Sequence, residues 1–122
     1  MHIDEFREYC LSKAGTEESF PFDEKTLVFK VMGKMFALTS VDADDFRINL
    51  KCNPDKAIEL RESFEDIIEG YHMSKKHWNT LILEDSMLEE DLIISLIDHS
   101  YDLVVKGLTK KLKEELKLFD AK

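Results

Sequence analysis

The segment Asp45–Cys52 constrains this chain most. Phe46, Ile48, Leu50 and Cys52 alternate there with Arg47, Asn49 and Lys51. A period of two puts the first set on one face of a strand and the second on the other. One face is then buried against another layer, and the other is polar and basic. Asn53-Pro54 follows at once, an N-cap residue and a proline suited to the first helical position. Ala57, Leu60, Arg61 and Phe64 then recur at helical spacing. A half-buried strand running straight into a helix predicts a sheet covered by helices.

The rest of the 122 residues extends that unit. Ile3, Phe6, Cys10 and Ala14 predict an amphipathic first helix, with Gly15 closing it. Ala14–Lys25 reads as a loop, in which Phe20-Pro21-Phe22 is extended and covers a core edge. Thr26–Met32 and Lys34–Ser40 are strand-like runs joined at Gly33, a hairpin signal. Asp66–Tyr71 and His77–Leu83 form a second hairpin, connected through the basic Met73-Ser74-Lys75-Lys76. Ser86 and Glu89 make a capping box, Ser at N-cap and Glu at N3. Leu88, Leu92, Ile93, Leu96, Ile97 and Val104 give the following helix a wide apolar stripe, and Gly107 ends it. Leu112, Leu116 and Phe119 predict one more short helix. The expected order is α-β-β-β-α-β-β-α. It describes a two-layer α+β fold, an antiparallel sheet with helices on one face. Residues 1–122 form a single domain, with 109–122 a helical C-terminal extension.

Charge and spacing narrow the function. The net charge of −9 opposes a strongly basic nucleic-acid binder. The distribution is uneven: residues 71–83 carry two lysines and no acid, whereas 84–105 carry seven acids and no lysine or arginine. No apolar run reaches the roughly 18 residues of a membrane span. The N-terminus lacks a basic stretch followed by an apolar one, so the expected location is the cytoplasm. Cys10 and Cys52 form no CxxC pair and are expected to be buried, inert thiols. Asp98-His99-Ser100 spells a triad only on paper, because neighbours on a helix point apart. His72 and His77 lack a third metal ligand. No nucleophile elbow or phosphate-binding loop occurs. Neither an enzyme nor a cofactor is expected.

Several segments together resemble one family. They are Phe20-Pro21-Phe22, Val28-Phe29-Lys30-Val31 with Gly33-Lys34-Met35-Phe36-Ala37-Leu38, Tyr71-His72-Met73-Ser74-Lys75-Lys76-His77-Trp78-Asn79, and Ser100-Tyr101-Asp102-Leu103-Val104. The pattern is similar to the MmcQ/YjbR family and runs from the first helix to about Leu108. The His-Met-x-Lys-Lys-His-Trp stretch is its most specific part; Ser74 stands where the family often has Asn. The resemblance implies a fold like that of type III secretion chaperones, α-β3-α-β2-α. It also implies DNA binding through a double-wing motif, the wings being β-hairpins. It implies no catalytic residue and no cofactor.

The candidate nucleic-acid contacts are therefore Lys34, His72, Lys75, Lys76, His77, Trp78 and Asn79. Lysines at a hairpin tip suit phosphates, and an exposed Trp78 would stack on an unpaired base. The competing reading packs Trp78 in the core and leaves the lysines as a solvated tip. A secondary basic face comprises Lys30, Arg47 and Lys51. The alternative function is a chaperone-like protein-interaction module using the open sheet face or the acidic C-terminal helix. The chain is expected to be a monomer or a homodimer, with DNA or a protein as its partner and no membrane.

Overall fold

The alternating segment lies at the centre of a six-stranded antiparallel sheet. The structure is a computed structural model and describes residues 1–70 and 73–120, the last without its side chain. Its elements are α1 (Ile3–Leu11), β1 (Thr16–Ser19), β2 (Thr26–Val31), β3 (Lys34–Ser40), β4 (Arg47–Lys51), α2 (Pro54–Ser63), β5 (Ile67–Glu69), β6 (Trp78–Ile82), α3 (Glu90–Lys106) and α4 (Lys110–Asp120). The strand order is β1-β2-β3-β4-β6-β5. Both expected hairpins form, β2 with β3 and β5 with β6; Tyr71, the end expected for the first strand of the second hairpin, lies outside the described residues. The α+β class and the order of the main elements are as the sequence predicts.

Ile48 and Leu50 point from β4 into a core shared with Phe6 and Cys10 of α1, Ala57 and Leu60 of α2, and Ile93, Leu96 and Ile97 of α3. Leu116 of α4 joins the same core. The helical layer thus covers one face of the sheet. On the other face Val28, Leu38 and Trp78 form a second, smaller cluster, with Met35 and Met73 packed against it. Burial in the main core pushes the Cys10 thiol up to about 12, which fits an inert cysteine.

Three local features shape the frame. Met32 and Gly33 both have positive φ, 49° and 85°, the two left-handed positions of a tight hairpin turn. Between Phe29/Lys30 and their partners Ala37 and Met35, β3 carries one extra residue, Phe36. This bulge lets Phe36 and Ala37 both reach the main core. It also interrupts the β3–β4 ladder, and Ser100 of α3 fills the gap. Its hydroxyl donates to the Phe36 carbonyl at 2.5 Å and accepts the Lys51 N–H at 2.9 Å.

Four expectations need correction. Phe20 and Phe22 do not cover a core edge, being 48 % and 65 % exposed. The segment expected to be a loop, Ala14–Lys25, contains β1. Thr16-Glu17-Glu18-Ser19 has no apolar alternation to read; the strand exists because its backbone completes the edge of β2. Gly15 does not close α1, which ends at Leu11 with Ser12 as its C-cap. Its φ of 71° instead turns the chain into β1. Nor does Ser86 cap α3, whose N-cap is Glu89. The Ser86 hydroxyl accepts the Leu88 N–H at 2.9 Å and donates to Asp66 at 3.2 Å. Tertiary contact with Asp66 competes with the local box, so the helix begins later. The Asn53 cap forms as expected, accepting the N–H groups of Asp55 and Lys56 at 3.0 and 3.4 Å.

Candidate functional site

The two hairpin ends meet at one end of the sheet. Lys51 pairs with Trp78, and the Cys52 N–H donates to the His77 carbonyl at 2.8 Å. Ser100 ties Lys51 to Phe36, two residues from Lys34. Lys34, Lys75, Lys76 and His77 are exposed there, and Lys51 is half-buried. Lys30 lies on the open face opposite Glu17 of β1. α4 sits beside the same end: a Cβ at Gly15 would meet the Leu116 side chain, and Met32 adjoins it. Lys110, Lys111, Lys113 and Lys117 come with α4, interspersed with Glu114 and Glu115.

Hydrogen bonds hold the described part of the connection between β5 and β6 from Ser74 onward. The Ser74 carbonyl accepts from the N–H groups of His77 and Trp78 at 3.2 and 2.9 Å. Arg61 of α2 donates to the Lys75 carbonyl at 3.1 Å and to the Asn79 side-chain oxygen at 2.9 Å. Asn79 donates in turn to the Ala57 carbonyl at 3.3 Å. Asn79 is therefore 2 % exposed, facing α2. Trp78 is 8 % exposed and faces the other way, onto Val28 and Leu38. Both act as braces for the lysines rather than as surface groups. Lys75 also pairs with Glu69 at 3.4 Å. That pair is solvent-exposed and worth less than about 1 kcal/mol, so an incoming anion can exchange for it. His72 lies outside the described residues.

The opposite end is acidic. The loops after β1, after β3 and after β6 converge there: the Val41 N–H donates to Lys25, and the Leu83 N–H to Phe46. They bring Asp23, Glu24, Asp42, Asp44, Asp45, Glu84 and Asp85 together. Arg47 belongs to this end, with Nε 2.8 Å from Asp45. It stands four residues, about 13 Å, from Lys51 along β4. The structure therefore separates Arg47 from Lys30 and Lys51, with which the sequence grouped it. The Asp23 carboxyl is held below its ordinary range by N–H groups of Lys25 and Thr26.

Two further residues escaped the sequence reading. Arg61 counted there only as part of a helical period. His99, rejected as catalytic, accepts the Asn53 N–H at 3.2 Å through Nε2 and so ties α3 to the start of α2. Burial, then the nearby Lys56, push its pKa down, while Asp102 pulls it up. Its neutral form is the one the fold selects. The stability this gives is complete above the ordinary histidine range and is lost as pH falls through the lowered value. Urea midpoints measured between about pH 7 and 5 should therefore fall more steeply for the wild type than for His99→Gln. Parallel profiles would refute the assignment.

Among the described residues, no group of three or more His, Cys, Asp or Glu is placed to hold a metal ion. No described helix is long and apolar enough to cross a membrane.

The arrangement defines a class: a small α+β protein with one sheet face under helices, the other open, and hairpin lysines and loop carboxylates at opposite ends of the sheet. Comparison with known proteins gives the family. The YjbR family model matches residues 11–103. The chain is 33% identical over 116 residues to the uncharacterized protein YjbR of Escherichia coli K12, covering 95% of this chain and 98% of that protein. It is 39% identical over 95 residues to YbdF of Escherichia coli O157:H7, covering 78% of this chain and 77% of the other. A crystal structure of the Deinococcus radiodurans protein DR2400, with a DUF419 domain, superposes with a TM-score of 0.86 at 41% identity, covering 94% of this chain and 87% of that one. A Pseudomonas syringae crystal structure gives 0.73 at 29%, covering 84% and 98%. This chain belongs to the YjbR family.

Proposed function

We propose that the protein is a cytoplasmic nucleic-acid binder that grips the phosphate backbone at the basic end of its sheet. The observation that carries this reading is the segregation of charge. Lys34, Lys51, Lys75 and Lys76 gather at one end, with Glu69 beside Lys75, while seven carboxylates, Asp23, Glu24, Asp42, Asp44, Asp45, Glu84 and Asp85, lie in the loops of the other. Exposed charges more than a Debye length apart, about 8 Å at physiological salt, are largely screened from each other. The distant acids then repel phosphates weakly, and they orient the molecule with its basic end forward. Buried Trp78 and Asn79 hold the tip and read no base, so binding is insensitive to sequence.

Fluorescence anisotropy with a labelled duplex tests this. At physiological salt the dissociation constant should be roughly 10⁻⁴ to 10⁻⁶ M. Its logarithm should change with log salt at a slope of about 3 in magnitude, for three or four phosphates neutralised. Lys34→Ala/Lys75→Ala/Lys76→Ala should remove most of the slope and weaken binding more than about tenfold. Absence of binding even at low salt, or an unchanged slope in the triple variant, would defeat the proposal.

A further inference from the structure

The open sheet face holds a pocket of about 740 Å³, running from the loops of the acidic end to Met73 of the β5–β6 connection. Leu38 forms part of its floor, and Phe22, Ala43 and Met73 wall it. The size suits one or two large side chains or a small molecule. Its polar lining is already engaged within the protein. Thr26 donates to Asp23, Ser40 to Asp42, Arg47 to Asp45, and Thr80 to Asn49. A polar ligand would have to break such pairs, whereas an apolar group need break none. Phe22, 65 % exposed, and Val41, 44 % exposed, offer apolar surface around the mouth.

The rim decides what carries that apolar group. Glu24 adjoins the lining residue Asp23, and Asp42 and Asp44 flank Ala43; Lys25 pairs with Asp42 at 3.3 Å and Arg47 with Asp45 at 2.8 Å, which leaves Asp23, Glu24 and Asp44 to set the rim's negative charge. An anionic partner would place like charges together, at a cost of several kcal/mol. Two copies packed face to face about a two-fold axis along the strands would do the same, because that contact sets one acidic rim against the other.

We infer that this pocket docks a protein partner through a basic segment, with one or two large apolar side chains inserted among Phe22, Leu38, Ala43 and Met73 and flanking lysines or arginines on the acidic rim. The proposal does not depend on nucleic-acid binding at the basic end.

Three synthetic peptides, titrated against the labelled full chain by amide-shift NMR, test it. One has a leucine-phenylalanine centre flanked by lysines, one the same centre flanked by glutamates, and one lysines around an alanine-alanine centre. The first should bind at least roughly tenfold more tightly than either other, shifting the amides of Leu38, Asn49 and Thr80. Ala43→Trp, at an exposed position, should obstruct the pocket and abolish binding while leaving the urea midpoint unchanged. Glu24→Lys/Asp44→Lys should weaken the first peptide and strengthen the second. Equal binding of the acidic peptide, or binding that survives Ala43→Trp, overturns the proposal. So does concentration-dependent self-association abolished by Ala43→Trp, which would make a second copy the occupant. Displacement of the first peptide by single-stranded oligothymidine, with the shifts on the same three amides, would assign the pocket to nucleic acid instead and overturn it equally.

Discussion

A Phe6→Ala variant is expected to lose about 3–5 kcal/mol of stability. Phe6 is fully buried and is the main apolar anchor of α1. Its ring meets Phe29 edge-on, 5.4 Å between centroids at 86°, and Phe46 at 6.0 Å and 63°. Truncation removes the transfer energy of a phenyl ring and those two ring contacts, which contribute about 0.5–1.5 kcal/mol each beyond area. It also leaves a cavity that α1 can close only by moving. α1 has other ties: Tyr9 donates to Asp98 at 2.5 Å, and Lys13 reaches the same carboxylate. Those contacts hold the helix in place and so keep it from collapsing into the void, which favours the upper part of the range. A domain of this size has only about 5–15 kcal/mol in total. The urea midpoint should therefore fall by roughly 2 M at an unchanged slope. Phe22→Ala, at an exposed position, is the control and should shift stability by less than about 0.5 kcal/mol. A loss below about 1 kcal/mol for Phe6→Ala would contradict the packing described.

Ser100→Ala is expected to cost about 2–4 kcal/mol, far more than removing one hydroxyl from a surface. The bulge at Phe36 leaves the Phe36 carbonyl and the Lys51 N–H without each other. Ser100, at 0 % exposure, serves both. Alanine leaves a buried donor and a buried acceptor unmet, and each costs about 1–3 kcal/mol. Amide exchange separates this from a general loosening. The Lys51 N–H should exchange faster than global unfolding permits in Ser100→Ala, while amides of β2 follow the global rate. Uniform acceleration across the sheet would argue against the specific role. Because Lys51 lies at the basic end, the same variant should weaken nucleic-acid binding even where the fold survives.

Periodicity was legible wherever one side of an element is apolar. β4 alternates and α3 repeats strongly, and their faces in the structure are those the pattern predicts. β1 was not legible, because both faces of Thr16–Ser19 are polar and its pairing is a backbone matter. The start of α3 was misread for a related reason. A local box around Ser86 was outcompeted by Asp66, twenty residues earlier in the chain.

The candidate site divides in the same way. Composition alone singled out the stretch from Tyr71 to Asn79, and the family match includes it. Which of its residues face water could not be read from it. Trp78 and Asn79 are neighbours on a strand and go to opposite faces, one onto Leu38 and the other under Arg61. Arg47 and Lys51 share a face yet stand at opposite ends of the sheet.

The sequence by itself determined the class, the order of the main elements and the two faces of β4, because these follow from local spacing and capping. Only the tertiary structure decided that the lysines of two hairpins and the carboxylates of three loops lie at opposite ends of one sheet. That division depends on strand register and on long-range hydrogen bonds such as Cys52 to His77 and Lys51 to Ser100, and no local pattern encodes it.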